Sequence, residues 1–414
     1  MLRIFGRHIS IAGKTKYQNI QFPCGKLYSV KSNESTLFRR NYSKNVHSSI
    51  AFQQHKNSGH VSALSTEKIA EGPQQTESEL KEFKVAVEDV IRNLATRENY
   101  QDSLEAGDWL ENIIRYHVPG GKVKRGLAFM RTYKMLASQQ DLTPENIRLS
   151  IVMAVCIEML EASFFILDDL MDGSILRRTR PCWYHVNNIG VAAANDVVLV
   201  QCAVYQVLEK YFSDKPYYLD TVKLFRDITF KNSLSLVLDD NVAKKGAGRV
   251  PDLNTYTMER YRTIAKYKTS FYASCFPFTL ATCMTGLKNE ELIRKCNDIL
   301  LEIGELGQIH DDYIDCYGDP GIYGKIGTDI ETRKCTWFIV TAMQRATPEQ
   351  KAILADCYGF QDPVKVEKVK EVYEELDLRS AYATCLQDRY KVLYSLIDQL
   401  SNDIPPELFE NYFM

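Results

Sequence analysis

Two five-residue segments, DDLMD at 168–172 and DDYID at 311–315, repeat one acidic pattern, and each closes a long run with helical apolar spacing. The runs are 157–167 before the first segment and 299–306 before the second. On a helix, positions i and i+4 share a face, so Asp168 pairs with Asp172 and Asp311 with Asp315. One such pair is a weak signal, because acidic i,i+4 pairs often decorate solvated faces. At the inner end of an apolar helix, however, a carboxylate is strongly disfavoured unless a cation answers it. Hard divalent cations suit clustered carboxylates, and Mg²⁺ takes one or two of them while leaving other positions to water and phosphate oxygens. The pattern therefore predicts two core helices whose acidic ends hold several Mg²⁺ ions around a diphosphate in one cavity.

The remainder of the chain reads as helix as well. Residues 79–94, 146–167, 191–211, 258–284 and 290–314 place apolar side chains at three- and four-residue spacing. Strand-like alternation between hairpin dipeptides is missing. Thr143-Pro144-Glu145 and Thr347-Pro348-Glu349-Gln350 read as helix starts, the second with a capping box. Pro277 falls inside a helical pattern and is expected to kink it. No run of about 18 uninterrupted apolar residues occurs, so stable membrane insertion is not expected. A formal charge of −2 argues against a nucleic-acid partner. Eleven cysteines without metal-like spacing read as reduced thiols.

The first fifty residues differ. They hold nine Lys or Arg against the single acid Glu34, the composition of a mitochondrial transit segment. The expected organisation is a transit segment over 1–47, a polar linker over 48–76 and a catalytic domain over 77–414. A basic tail with no address is the alternative, and leaves the protein cytoplasmic.

Cations flank the acidic segments: Arg177 and Arg178 after the first, Lys268 with Thr269 in KYKT, and Lys325 and Lys334 after the second. Their placement favours contact with a diphosphate over solvated surface roles. Together these residues carry a resemblance. From about residue 80 to 405 the chain is similar to farnesyl diphosphate synthase and the wider trans-isoprenyl diphosphate synthases. The matching stretches are GGKVKRG (120–126), CIEML (156–160), DDLMDGSILRR (168–178), PCWY (181–184), KYKTSFY (266–272), QIHDDYID (308–315), GKIGTDI (324–330) and KCTW (334–337). The resemblance implies an all-α, class I isoprenoid synthase helical bundle around a deep central cavity, and a homodimer. It implies three Mg²⁺ ions, with Asp168, Asp172 and Asp311 as principal ligands and Asp315 and Asp239 contributing. Arg177, Lys268, Thr269, Gln308 and Lys325 would contact an allylic diphosphate, and Gly121, Lys122, Arg125 and Arg178 would hold isopentenyl diphosphate.

Departures from the family pattern cluster on the isopentenyl side. The glutamine after CxEML is Glu161, whose charge would repel a diphosphate, and the aromatic pair before the second motif is Leu306-Gly307. The bulky aromatic five residues before the first motif is Ser163, beside a retained Phe164, which should reshape the pocket floor. The family's polar helix stretch is Asn232–Leu236, and no Lys or Arg follows Lys391. These changes resemble those of insect terpene synthases derived from the farnesyl diphosphate synthase line. The expectation is therefore a terpene synthase that ionises farnesyl diphosphate and turns the allylic cation into a sesquiterpene, with Phe164, Phe271 and Tyr272 as cation-stabilising rings. Lys122, Arg125 and Arg178 keep open the alternative of a farnesyl or geranylgeranyl diphosphate synthase. A catalytically idle partner subunit is a third reading, opposed by two complete aspartate motifs.

Overall fold

A computed structural model describes residues 17–21, 27–31, 72–94, 103–244, 252–324 and 326–413 of the chain. Two compact units divide it, Met1–Ile69 and Ala70–Met414. In the first, β1 (Tyr17–Gln21) and β2 (Leu27–Lys31) pair antiparallel, with Tyr17 opposite Lys31. This strand pair was not expected from the sequence. The rest of the expected transit segment over 1–47, and residues 48–71 of the expected linker, lie outside the described residues.

The second unit is helical. It opens with α1 (Gly72–Leu94), which begins inside the segment read as linker. Pro73 falls in the first turn, where a missing N–H costs no helical bond. Then come α2 (Leu104–His117), α3 (Lys124–Leu136) and α4 (Pro144–Asp172). The expected cap at Thr143 is formed, its side chain accepting from the Asn146 N–H, and Gly173 ends α4 with φ 65°.

α4 is the axis of the fold. Every side chain from Leu149 to Phe164 is buried, against α1, α3 and α5 (Ala193–Phe212). Two helical stretches, Pro144–Asp172 and Gly190–Phe212, are long and apolar enough to cross a membrane. The most apolar window of the first is 94% buried inside the protein, which accounts for its composition without a bilayer. The second is only 44% buried.

Directly after α4, β3 (Leu176–Arg177) and β4 (Arg180–Pro181) form a minimal antiparallel ribbon. Arg178 and Thr179 turn it, both with positive φ, the hairpin geometry whose twist matches the flanking strands. The ribbon folds Arg177 back over the end of α4.

α6 (Tyr218–Lys244) and α7 (Met258–Ala265) lead into a π-helical stretch, Lys266–Cys275, followed by α8 (Phe276–Thr285). The expected kink at Pro277 takes this form: the hydrogen-bond register widens before the proline, and the Phe276 N–H bonds the Phe271 carbonyl five residues back. Pro277 then sits in the first turn of α8, where it lacks nothing. The π stretch packs on α9 (Glu290–Tyr317) so closely that a Cβ at Gly304 would lie 2.3 Å from Ser270 Cα.

Beyond α10 (Pro320–Tyr323), helices α11 (Trp337–Arg345), α12 (Pro348–Cys357), α13 (Pro363–Glu375) and α14 (Leu378–Gln399) build a second core around Phe338, Tyr358 and Tyr373. The capping box at Thr347 and Gln350 is formed. After α15 (Glu407–Glu410), the Tyr412 hydroxyl meets Thr132 Oγ1 of α3 at 2.8 Å in a buried bond. The ten described cysteines are all free thiols.

Candidate active site

The C-terminal end of α4 meets α6, the π stretch and the segment before α11 in a tight charge cluster. Lys334 Nζ donates to Asp172 Oδ1 at 2.7 Å and to Asp239 Oδ2 at 3.1 Å. Lys268 Nζ donates to Asp239 Oδ2 at 2.8 Å and lies 3.8 Å from Asp168 Oδ1. Burial alone would push the Asp239 carboxyl up, but the two ammonium groups hold it down at about 2. Burial and the neighbouring Asp168 raise Asp172. Despite their own burial, both lysines are held well above the usual range by the carboxylates around them.

The middle aspartate of each motif is buried and held by protein donors. Asp169, 2% exposed, accepts from Arg177 Nε, while Arg177 Nη2 reaches Asp168 at 3.2 Å. Asp312 accepts from Gln308 Nε2 and from the Trp337 N–H, each at 2.8 Å. Burial pushes Asp312 up to about 7. Gln308 in turn accepts from the Thr269 hydroxyl, so α9, the π stretch and α11 are pinned by one polar chain. Asp311 is exposed, whereas Asp315 Oδ1 accepts the Asp329 N–H at 3.0 Å and so also braces the following loop. Lys325 lies outside the described residues.

Among the described residues no three acidic, histidine or cysteine side chains close into a ready-made metal cage. Asp168, Asp172 and Asp239 instead form an all-oxygen wall whose charge is shared by two lysines. Such a donor set fits Mg²⁺ shared with substrate phosphates, because that ion keeps most of its positions for water and phosphate oxygen.

A second cluster lies along the same helix. Glu158, Glu161, Phe165, Asp168 and Asp172 are spaced three and four apart, so they form one stripe of α4. Glu161 sits about 10 Å along the axis from Asp168. Its carboxylate pairs with Arg125, and Arg178 Nη2 lies 3.8 Å away. Glu158 Oε1 accepts the Gly126 N–H at 2.9 Å. Burial and the adjacent Glu161 raise Glu158, and although burial opposes it, Arg125 holds Glu161 down. Burial, with Lys122 and Arg125 nearby, lowers Lys124 to about 8. The Phe165 ring lies under both guanidinium groups, 4.4 Å from Arg177 and 5.2 Å from Arg178. A Cβ at Gly121 would lie 2.6 Å from Arg178 Nη1, so a side chain there would push the guanidinium aside.

The pocket residues fall differently from expectation. Ser163 is fully enclosed: its hydroxyl donates to the Leu160 carbonyl and accepts from Gln201 Nε2, so it does not front an open floor. Phe164 is buried edge-on against Tyr272, with ring centroids 5.0 Å apart. Gly307 is half-buried on α9, one residue before Gln308. Phe165 and Glu158 were overlooked in the sequence, although their place on the Asp168–Asp172 face is readable from spacing alone.

The sequence pattern of the polyprenyl synthetase family matches residues 107–376, which span both clusters. The chain belongs to the polyprenyl synthetase family. It is 38% identical over 366 residues to a farnesyl pyrophosphate synthase of Nezara viridula, covering 88% of this chain and 89% of that protein. It is 41% identical over 300 residues to the farnesyl pyrophosphate synthase of Rattus norvegicus, covering 72% and 84%. Its fold is similar to Trypanosoma brucei farnesyl diphosphate synthase complexed with risedronate, at a TM-score of 0.74, 25% identity, and coverage of 81% and 99%. The fold is thus the all-α class I isoprenoid synthase bundle, and the chain is an enzyme of prenyl diphosphate metabolism.

Proposed function

We propose that this polyprenyl synthetase family member is a Mg²⁺-dependent prenyltransferase, joining an allylic prenyl diphosphate to isopentenyl diphosphate. The observation that carries this is the presence of two separate charged sites on one face of α4. Coupling needs two diphosphates held apart, and ionisation alone needs one. The relatives named farnesyl pyrophosphate synthase support the same reading.

Asp168, Asp172, Asp239, Asp311 and Asp315 would hold Mg²⁺, which neutralises the departing diphosphate when bound. Lys268, Arg177, Thr269 and Gln308 orient that diphosphate, and preformed positive charge there favours the negative charge that develops as the C–O bond breaks. The bond's electron pair leaves with the diphosphate. The double bond of the second substrate then attacks the allylic carbon, and a proton is lost as the new double bond forms. Lys122, Arg125 and Arg178 form the second diphosphate site.

One observation favours a second reading, a sesquiterpene synthase of the kind derived from this family: Glu161 already neutralises Arg125. Parallel incubations of the purified chain with Mg²⁺ separate the two. Longer diphosphates from geranyl plus isopentenyl diphosphate support coupling; a C15 hydrocarbon or alcohol from farnesyl diphosphate alone, with no chain growth, supports the second reading.

The partner surface follows the same reading. Phe230, Leu234 and Val237 form an exposed apolar stripe on α6, and Val198 is exposed on the half-buried α5. A second copy of the chain would cover this face, and sedimentation of a dimer tests it. The basic residues 1–47 support mitochondrial delivery, and a reporter fused to them that stays cytoplasmic would refute it.

A further inference from the structure

The second cluster has its charge already answered from within. Arg125 and Arg178 converge on one carboxylate, Glu161, which is only 3% exposed. Two polar groups beside it lack partners: the Arg125 Nε and the Tyr272 hydroxyl, both buried. The Arg125 guanidinium stacks on the Tyr272 ring at 4.6 Å, so donors from α3 and the π stretch lie side by side next to Glu161. Glu158 backs Glu161 and is itself anchored by the Gly126 N–H. An anion that displaced the Glu161 carboxylate would find these donors already in place.

We propose that Glu161 is a built-in occupant of the Arg125–Arg178 pair, so that the second diphosphate binds only by displacing it. This rests on the prenyltransferase reading for the identity of that diphosphate. Glu161 thereby sets the balance between chain growth and ionisation without coupling. It acts on binding of one substrate and contributes nothing to the carbon–oxygen cleavage.

The test titrates isopentenyl diphosphate into the full chain, its Glu161→Gln variant and a Glu79→Gln control, and measures KM for both substrates. Glu79 is equally buried and paired with Arg131 and Lys134, about 9–14 Å further along α3 than Arg125, and so reports general loosening. In Glu161→Gln, isopentenyl diphosphate binds about tenfold tighter or more, as expected when a desolvated charge competitor is removed. Its KM falls in parallel, with no matching fall in KM for the allylic substrate. Unchanged affinity in Glu161→Gln, or an equal gain in Glu79→Gln, overturns the proposal. Should Glu161→Gln fail to fold, Glu161→Asp withdraws the carboxylate by one methylene and is read in the same titration, where unchanged affinity again overturns it. A parent chain that releases no diphosphate from any allylic substrate overturns the functional reading itself. Persistent ionisation with no isopentenyl diphosphate binding in any variant overturns the prenyltransferase reading as well, whereas isopentenyl diphosphate binding that Glu161→Gln leaves unchanged overturns the Glu161 assignment alone.

Discussion

Lys334→Met in metal-free protein isolates the charge that holds the acidic wall together. Methionine keeps the length of the aliphatic stem, and the Lys334 carbonyl remains free to accept from the Tyr358 hydroxyl at 2.6 Å. What is lost is one ammonium, 2.7 Å from Asp172 and 3.1 Å from Asp239. Removing one partner of a buried ion pair costs about 3–5 kcal/mol. Two features reduce that here. Lys268 still holds Asp239 at 2.8 Å, and the Asp172 side chain keeps 21% of its surface in water. A loss of about 2–3 kcal/mol is expected, which in a unit of this size lowers Tm by roughly 3–4 °C.

The assay is thermal unfolding of parent and variant in EDTA, followed by circular dichroism across pH. Asp172 is already raised by burial and Asp168, and losing Lys334 raises it further. A carboxyl with a raised folded-state pKa binds its proton more tightly when folded. It therefore adds stability as pH falls, and loses that contribution as pH rises through the folded value. The gap between parent and variant should narrow from pH ~8 to pH ~5. A variant melting within about 1 °C of the parent at neutral pH refutes the reasoning, as does a gap that widens on acidification.

Three further outcomes follow from the geometry. Gly304→Ala places a methyl group 2.3 Å from Ser270 Cα, so the π stretch bearing Lys268 and Thr269 must retreat; turnover measured by diphosphate release should fall more than ~10-fold, with about 1–3 kcal/mol of lost stability in urea. Asp168→Ala or Asp311→Ala should abolish diphosphate release, and near-normal turnover in either variant would sink the shared-metal reading. Tyr412→Phe removes the buried bond to Thr132 Oγ1; urea unfolding should show a loss of about 1–2 kcal/mol, with KM for both substrates unmoved.

Local rules made part of this legible in the sequence. The Thr143 and Thr347 caps, the span of α4 and the pairing of Asp168 with Asp172 all follow from spacing within one or two turns. Lys334 was visible as a cation after the second motif, yet its partner Asp172 is 162 residues away, a contact only the packed bundle supplies. Pro277 signalled an irregularity in this helix, but the length of the π stretch and its close approach to Gly304 on α9 involve packing that local sequence does not carry. Glu161 was read as hostile to a diphosphate, but without its partner Arg125. Repulsion in an empty site becomes neutralisation once Arg125 from α3 is in place, so the residue is stabilised in the fold while opposing the ligand. Ser163, read as reshaping a pocket floor, has its hydroxyl bonded to Leu160 and Gln201 and its surface enclosed, partners that the sequence alone does not supply.

The placement of both clusters on one stripe of α4 explains how such a change can be tolerated. Coulomb attraction falls with distance, so a charge at Glu161 acts roughly two and a half times more strongly on a guanidinium at 4 Å than on a group about 10 Å away. The Asp168 end also carries its own counter-ions in Lys268, Lys334 and Arg177. Adding or removing one negative charge at residue 161 therefore falls mainly on the second site and leaves the ionising site close to its own balance. A bundle organised this way can lose or regain coupling through one side chain, while the aspartates that release the diphosphate stay where α4 and the π stretch hold them.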